Sequence, residues 1–397
     1  MIVKLIIANL RYKSLSTFLS WILLLFGVAI ISLLWTLQRQ LQNKFDSELQ
    51  DIDLVVGAKG SPLQLVLSAV YHVDAPTGNI NEEEVNRISH NPMIAWSIPL
   101  AYGDNFKGYG IVGTTEKYVA NEKGHLAEGR IFREPMEAVI GSNVKASEGL
   151  EIGDTFIGTH GQDQHGHQHK GHPYKVVGIL QPAGTVADNL ILTDIATVRL
   201  IHEHHDENDK DDDEEMRVRN EITAVLIKFR SPMGMMTFPR TVNQTTSMQA
   251  AVPSLEINRL MGLMGIGIDT LQYIALAIMV MAGLSVFISL FNRLKERKYE
   301  LALLRSLGYS RLQLFLIVIS EAMLLSVAGF LSGIAVSRLG VFLLNKNATT
   351  TFRFHISGIS REEVVLFAIT LLMGIMASLI PALTIYWLNI SKILADE

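Results

Sequence analysis

Four long apolar runs stand out along the chain, at about Leu15–Leu37, Leu271–Asn292, Leu312–Ser337 and Val364–Trp387. Each reaches the roughly 20 residues that a helix needs to cross the hydrocarbon core of a bilayer. The first run is too long for a cleavable signal and is followed by QRQLQNKFDSEL without a small-x-small site, so it reads as a retained helix. Beyond it, Leu37, Leu41, Phe45 and Leu49 recur every four residues among polar ones. This is the period of an amphipathic helix continuing the span into water. Leu255, Ile257, Leu260, Met261 and Met264 repeat the pattern ahead of the second run, so the two extensions are expected to form a stalk. Residues 2–13 carry an apolar stripe opposite Lys4, Asn9, Arg11 and Lys13, the signature of an interfacial helix.

Between the stalk segments the period changes. Short β-branched and aromatic runs predict strands at Leu54–Val56, Ala95–Leu100, Gly108–Gly113, Glu137–Ile140, Tyr174–Leu180 and Ile222–Phe229. Asn81–Ser89 and Asp194–His202 read as helices. The expected fold class is an α-helical membrane protein with four spanning helices, arranged one plus three, carrying a large mixed α/β extracytoplasmic domain on a helical stalk. The expected layout is 1–37 for the interfacial helix and first span, 38–268 for the stalk and inserted domain, and 269–397 for the remaining spans. A smaller β-rich unit is expected at about 125–220, with a hairpin running from Ile152–Thr159 to Tyr174–Leu180.

Charge orients this layout. Lys4, Arg11 and Lys13 precede the first span, and Arg293, Lys295, Arg297, Lys298, Arg305 and Arg311 crowd the loop between the second and third. The loop between the third and fourth holds only Lys346, Arg353 and Arg361. By the excess of Lys and Arg on the inner side, both termini and the 293–311 loop are expected in the cytoplasm, with the large domain periplasmic in a bacterial inner membrane. The chain has no cysteine, so an exported domain of this size must fold on its own core. No basic face with interleaved aromatics appears, and no nucleic-acid partner is expected.

The stretch 291–314, FNRLKERKYELALLRSLGYSRLQL, pairs a charged start with an apolar face (Leu301, Leu304, Leu307) and then Gly308, a helix stop. The pattern formed by Glu296, Arg297, Glu300, Leu301, Leu304, Arg305, Leu307 and Gly308 resembles the signature of the FtsX/MacB superfamily of ABC permeases. The closing SLIPALTIYWLNISKIL, with Pro381, resembles that family's last segment, and VVGILQPAGTVADNLILTD at 176–194 its small periplasmic subdomain. The resemblance implies a dimer of permeases, homomeric or heteromeric, working with a cytoplasmic ABC ATPase. Arg293, Glu296, Arg297, Glu300, Leu301, Leu304, Arg305 and Gly308 would then form the coupling surface, and ATP-driven motion would be transmitted through the stalk to the periplasmic domain. No G-x-x-x-x-G-K-[ST] stretch is present, so ATP is expected on a separate chain.

Glu321 sits inside the third apolar run, where an ionisable group is costly and normally faces a partner. It reads as a packing anchor or, alternatively, a proton or substrate site. Gly329 and Gly333 on the same run allow close helix approach, at a dimer interface or by chance composition. Two histidine tracts remain. One carries His160, His165, His167, His169 and His172; the other carries His202, His204 and His205 ahead of a run of acids. His165, His167, His169, His172, His202, His204 and His205 are candidate ligands for Zn²⁺, Cu²⁺ or Ni²⁺, with Zn²⁺ the expected metal; a solvated insertion is the alternative. No G-x-S-x-G or H-E-x-x-H occurs, so no catalytic residues are expected. The functional expectation is a permease subunit moving or handling a lipoprotein, peptide or metal-linked cargo. The alternatives are a non-transporting regulator of a periplasmic partner enzyme and a metal-handling or metal-sensing membrane protein.

Overall fold

The computed structural model describes residues 14–49, 51–160, 173–203, 221–347, 358 and 360–385. They fall into two compact units: Met1–Leu41 with Met264–Glu397, and Gln42–Leu263.

Four of the described helices are long and apolar enough to cross a membrane, the first and second running from the first unit into the chain of the second. They cover Ser14–Glu48, Pro253–Glu296, Arg311–Asn347 and Arg361–Thr384. The first two run without a break well past the apolar cores read from sequence. At 1.5 Å per residue the 35-residue and 44-residue helices are roughly 52 and 66 Å long, against about 30 Å of hydrocarbon. The fourth starts on a capping box. Ser360 Oγ accepts from the Glu363 amide at 3.3 Å, and the Glu363 carboxylate accepts from the Ser360 amide at 3.0 Å. Its Pro381 is buried and removes one rung of the helical ladder.

Glu363 is also the centre of a buried network tying three spans. It accepts from Arg338 Nη2 at 2.8 Å and from Ser32 Oγ at 3.0 Å. Gly329 and Gly333 face the first span of the same chain: a Cβ at Gly329 would lie 2.8 Å from Leu24 Cβ, and one at Gly333 2.7 Å from Val28 Cβ. The close approach they allow is therefore packing within the chain, and the expected dimer-interface role for this face gives way to it.

In the second unit thirteen strands are described: β1 (Leu54–Ala58), β2 (Ile80–Asn81), β3 (Ile94–Phe106), β4 (Tyr109–Thr114), β5 (Leu126–Gly129), β6 (Glu137–Ile140), β7 (Thr155–Phe156), β8 (Thr159–His160), β9 (Tyr174–Leu180), β10 (Ile191–Asp194), β11 (Glu221–Ile222), β12 (Ala224–Phe229) and β13 (Met248–Ala251). Eleven of them form one sheet, nine in the order β13-β1-β12-β3-β4-β10-β6-β9-β5, with β7 paired to β9 and β8 to β3. The β10–β4 and β6–β9 pairs are parallel, and β6 and β9 are apolar and buried nearly throughout, as strands covered on both faces are. One cluster, on β1, β12 and β13, packs Phe238 and Val242 of the helix Met233–Thr245. Another gathers Ile111, Ile140, Val176 and Ile191.

The stretch 137–200 is joined to the rest of the sheet through β10 and β4. Of the expected hairpin, β7 pairs with β9 but β8 pairs with β3. Pro62–Ala69 is a helix, capped by Ser61 with Pro62 in its first turn. That cap-and-proline pair was readable in the sequence.

Candidate functional site

The helix Pro253–Glu296 stops where Arg297 leaves helical geometry, at φ −100° and ψ 18°. A new nine-residue helix follows at Lys298–Ser306. The break is bridged by the Arg297 amide donating to Arg293 O at 3.0 Å and the Leu301 amide donating to Arg297 O at 3.0 Å. Arg297 Nε donates to Glu300 at 2.6 Å and fixes the first turn. The first four residues of the loop expected at 293–311 thus prolong the spanning helix, and the separate helix begins only at Lys298.

The far end is closed by a Schellman motif. Gly308, at φ +101°, donates to Arg305 O at 3.1 Å, and the Tyr309 amide reaches back to Leu304 O at 3.2 Å. Arg305 Nη1 adds a bond to Tyr309 O at 3.1 Å. Ser310 and Gln313 then cap the third span reciprocally, at 2.7 and 3.1 Å. The S-x-x-Q spacing of SRLQ is the sequence signal for this cap.

Side chains divide over two faces. Ala302 is buried, and Leu301, Leu304 and Tyr309 pack against the bundle core of Leu290, Leu314, Ile317 and Val318. Tyr299, Leu303 and Leu307 point outward, with Leu303 41% and Leu307 76% exposed. A short helix held at both ends thus carries exposed aliphatic side chains on its outer face.

Behind this helix lies a buried ion pair. Arg293 (4% exposed) and Glu321 (6%) approach to 3.7 Å. Arg293 also donates to Ser289, through Nη2 to Oγ at 3.0 Å and through Nε to the carbonyl at 3.3 Å. Ser16 donates to the same Ser289 hydroxyl at 2.9 Å, so the chain of contacts links the first three spans. Sequence reasoning gave Glu321 a partner on a neighbouring helix but put Arg293 among the topology charges and on the coupling surface, whereas it is buried against Glu321. A cavity of about 280 Å³ adjoins the pair, between the short helix and the second and third spans. Glu296 lies exposed on the last turn before the break.

His165, His167, His169, His172, His204 and His205 lie outside the described residues. His202 lies in the helix Ile195–Glu203. Among the described residues no group of three or more His, Asp or Glu is placed to hold a metal ion.

The second unit holds a polar cluster that sequence reasoning missed. His72, at φ +53°, lies with Nε2 2.8 Å from the Tyr118 hydroxyl and Nδ1 beside that of Tyr102, which donates to Ser68 O. Because the Tyr102 proton goes to Ser68, Nδ1 must donate to Tyr102 and Nε2 accept from Tyr118. Burial lowers the His72 pKa to about 3. Nearby, burial first and the Glu48 carboxylate second push Glu122 up to about 8. Glu48 is held by Lys44 at 2.7 Å and by the Val186 amide at 3.3 Å. Nothing in the spacing of these residues along the chain signals that they meet.

Two sequence profiles match the chain. One, described as an FtsX-like permease C-terminal region, matches residues 273–393; the other, described as a MacB-like periplasmic core domain, matches 17–235, more than half the chain. A search of curated protein sequences finds no match. Among solved structures, the periplasmic region of MacB from Actinobacillus actinomycetemcomitans is similar at 11% identity and a TM-score of 0.34, over 55% of this chain and 97% of that one. The extracellular domain of the noncanonic ABC-type transporter YknZ from Gram-positive bacteria is similar at 15% identity and a TM-score of 0.31, over 50% and 98%. The two profile matches between them take in the inserted α/β domain, the second to fourth spans and the short helix that joins two of them, and the chain belongs to the FtsX/MacB family of ABC transporter permeases.

Proposed function

We propose that this chain is the permease subunit of an ABC system in which a separate cytoplasmic ATPase drives motion of the periplasmic domain. The observation that carries the reading is the helix Lys298–Ser306, rigidly held by the Arg297 break and the Gly308 cap, with Leu303 and Leu307 outward. A rigid lever with an apolar contact face is what transfer of an ATPase's displacement requires. The excess of Lys and Arg around this helix supports a cytoplasmic position for it and for both termini. Continuity of the first and second helices over 35 and 44 residues supports transmission along helix axes rather than through a conduit. The chain would act as a dimer, and its cargo is a lipoprotein, peptide or metal-linked substrate. The test is co-purification of the full chain with the ABC ATPases encoded beside it. Wild type retains one of them; Leu303→Asp with Leu307→Asp lowers that retention at least roughly ten-fold, a loss of about 1.4 kcal/mol or more. Retention of none by the wild type would overturn the reading.

A further inference from the structure

The last turn of the first helix, Lys44–Glu48, is clasped by one loop of the second unit, to which both belong. Lys44 Nζ donates to Gly184 O at 2.7 Å and pairs with the Glu48 carboxylate at 2.7 Å. Two residues along the loop, the Val186 amide donates to Glu48 Oε2 at 3.3 Å. Asp188 stiffens the loop, since its carboxylate accepts from the amides of Ala183 and Gly184 at 3.0 and 2.7 Å. The Tyr71 hydroxyl adds a bond to Phe45 O at 3.0 Å.

A second carboxylate faces this clasp. Glu122 follows the helix Glu116–Asn121, and its amide donates to Tyr118 O at 2.9 Å. Glu122 is 5% exposed and Glu48 4%, so the fold buries two acids within each other's field. Burial first and the Glu48 charge second raise Glu122 to about 8, while Thr185, Lys44 and Asn121 act in the opposite sense. Thr185 lies between the two loop residues that hold Lys44 and Glu48.

The other titratable groups here bring no further cation. Burial raises Tyr118, which feels both acids, and Tyr71, which feels Glu48 and Asp46, so both phenols stay neutral. Burial raises Tyr102 as well, and His72, bonded to Tyr102 and Tyr118, is lowered to about 3 and is also neutral. Lys44 is the one cation among these groups. With Glu122 protonated, Lys44 and Glu48 balance each other. With Glu122 ionised, two buried carboxylates share one ammonium, and the excess buried charge is costly. Moving the turn off the loop takes Glu48 away from Glu122 and lets water reach both.

From this we infer that the contact is a proton-dependent latch: a proton on Glu122 holds the Lys44–Glu48 turn to the Gly184–Val186 loop, and release of the turn releases the proton. The closed latch binds the proton more tightly than the open one. Closure is therefore favoured at low pH and weakens as pH rises from 4.5 to about 8. The inference uses residues of the second unit alone and stands whether or not an ATPase docks on the chain.

The test is residue-resolved hydrogen–deuterium exchange of the full chain in detergent, with each rate divided by that of an unstructured chain to give a protection factor. In the wild type, protection of the Val186 amide should fall roughly ten-fold per pH unit between pH 6 and 8 and level off above. The Lys175 amide, bonded to Met136 O beside the β6–β9 ladder, should remain the better protected at every pH, which marks an opening local to the loop. Glu122→Gln, neutral at every pH, should give the same Val186 protection at pH 6 and pH 8. Glu48→Gln, which removes the repelling charge, should lower the pH at which the fall levels off. A Val186 protection independent of pH in the wild type, protection equal to that of Lys175, or a fall that persists unchanged in Glu122→Gln overturns the latch. Should Glu122→Gln fail to fold by circular dichroism, the wild-type profile and its shift in Glu48→Gln decide.

Discussion

At the scale of single residues, the inserted domain holds two titratable groups whose pH dependences oppose each other. His72 is held neutral, its pKa down from 6.5 to about 3. Between those values the unfolded chain binds the extra proton, so stability falls as pH drops below 6.5. Glu122 is raised from 4.5 to about 8, so there the folded state binds the extra proton, and stability falls as pH rises from 4.5 to 8. The slopes offset between 4.5 and 6.5, and only the Glu122 slope remains from 6.5 to 8. Thermal unfolding of the full chain in detergent should therefore show Glu122→Gln melting several degrees above wild type at pH 8 and level with it near pH 4.5. An identical pH profile for the two proteins would show that Glu122 is not protonated in the folded state.

Also at this scale, Glu363 accepts from Arg338, Ser32 and the Ser360 amide in a buried position. Glu363→Ala leaves the Arg338 guanidinium uncompensated and should cost about 3 kcal/mol, read as a lowered Tm. An unchanged Tm would mean that solvent or lipid compensates the guanidinium.

At the scale of elements, the spans were legible because apolar length is a one-dimensional property. Leu37, Leu41, Phe45 and Leu49 likewise signalled that the first helix would continue, as it does to Glu48. The break at Arg297 was not legible, because no Gly or Pro marks it; it depends on the Arg297–Glu300 bond and on the packing of Leu301 and Leu304 against the bundle. The stop at Gly308 was legible, since φ +101° favours glycine. A Cβ there would meet nothing within 4 Å, so the cost of Gly308→Ala is conformational, about 1 kcal/mol. That variant should leave the protein folded by circular dichroism while weakening ATPase retention; full retention would show that the cap does not set the helix's position.

Ionic contacts between elements were the least legible. Glu321 announced that it needed a partner, but its being Arg293 depends on which turn of the second span faces the third. The His72, Tyr102 and Tyr118 cluster joins residues up to 46 positions apart, each unremarkable in its own segment.

At the scale of the whole molecule, the two units ask for one another's motion in the proposed mechanism, and that is the claim to measure. The chain has no cysteine, so one introduced cysteine gives a single label per copy. Asp74 lies exposed on the inserted domain, so Asp74→Cys puts the label on its surface. With the permease–ATPase complex reconstituted in lipid, the distance between spin labels on the two copies of the dimer should change between the nucleotide-free and vanadate-trapped states. The change should vanish when Leu303→Asp and Leu307→Asp uncouple the ATPase. A distance distribution identical in both nucleotide states, in a complex that hydrolyses ATP, would contradict the account.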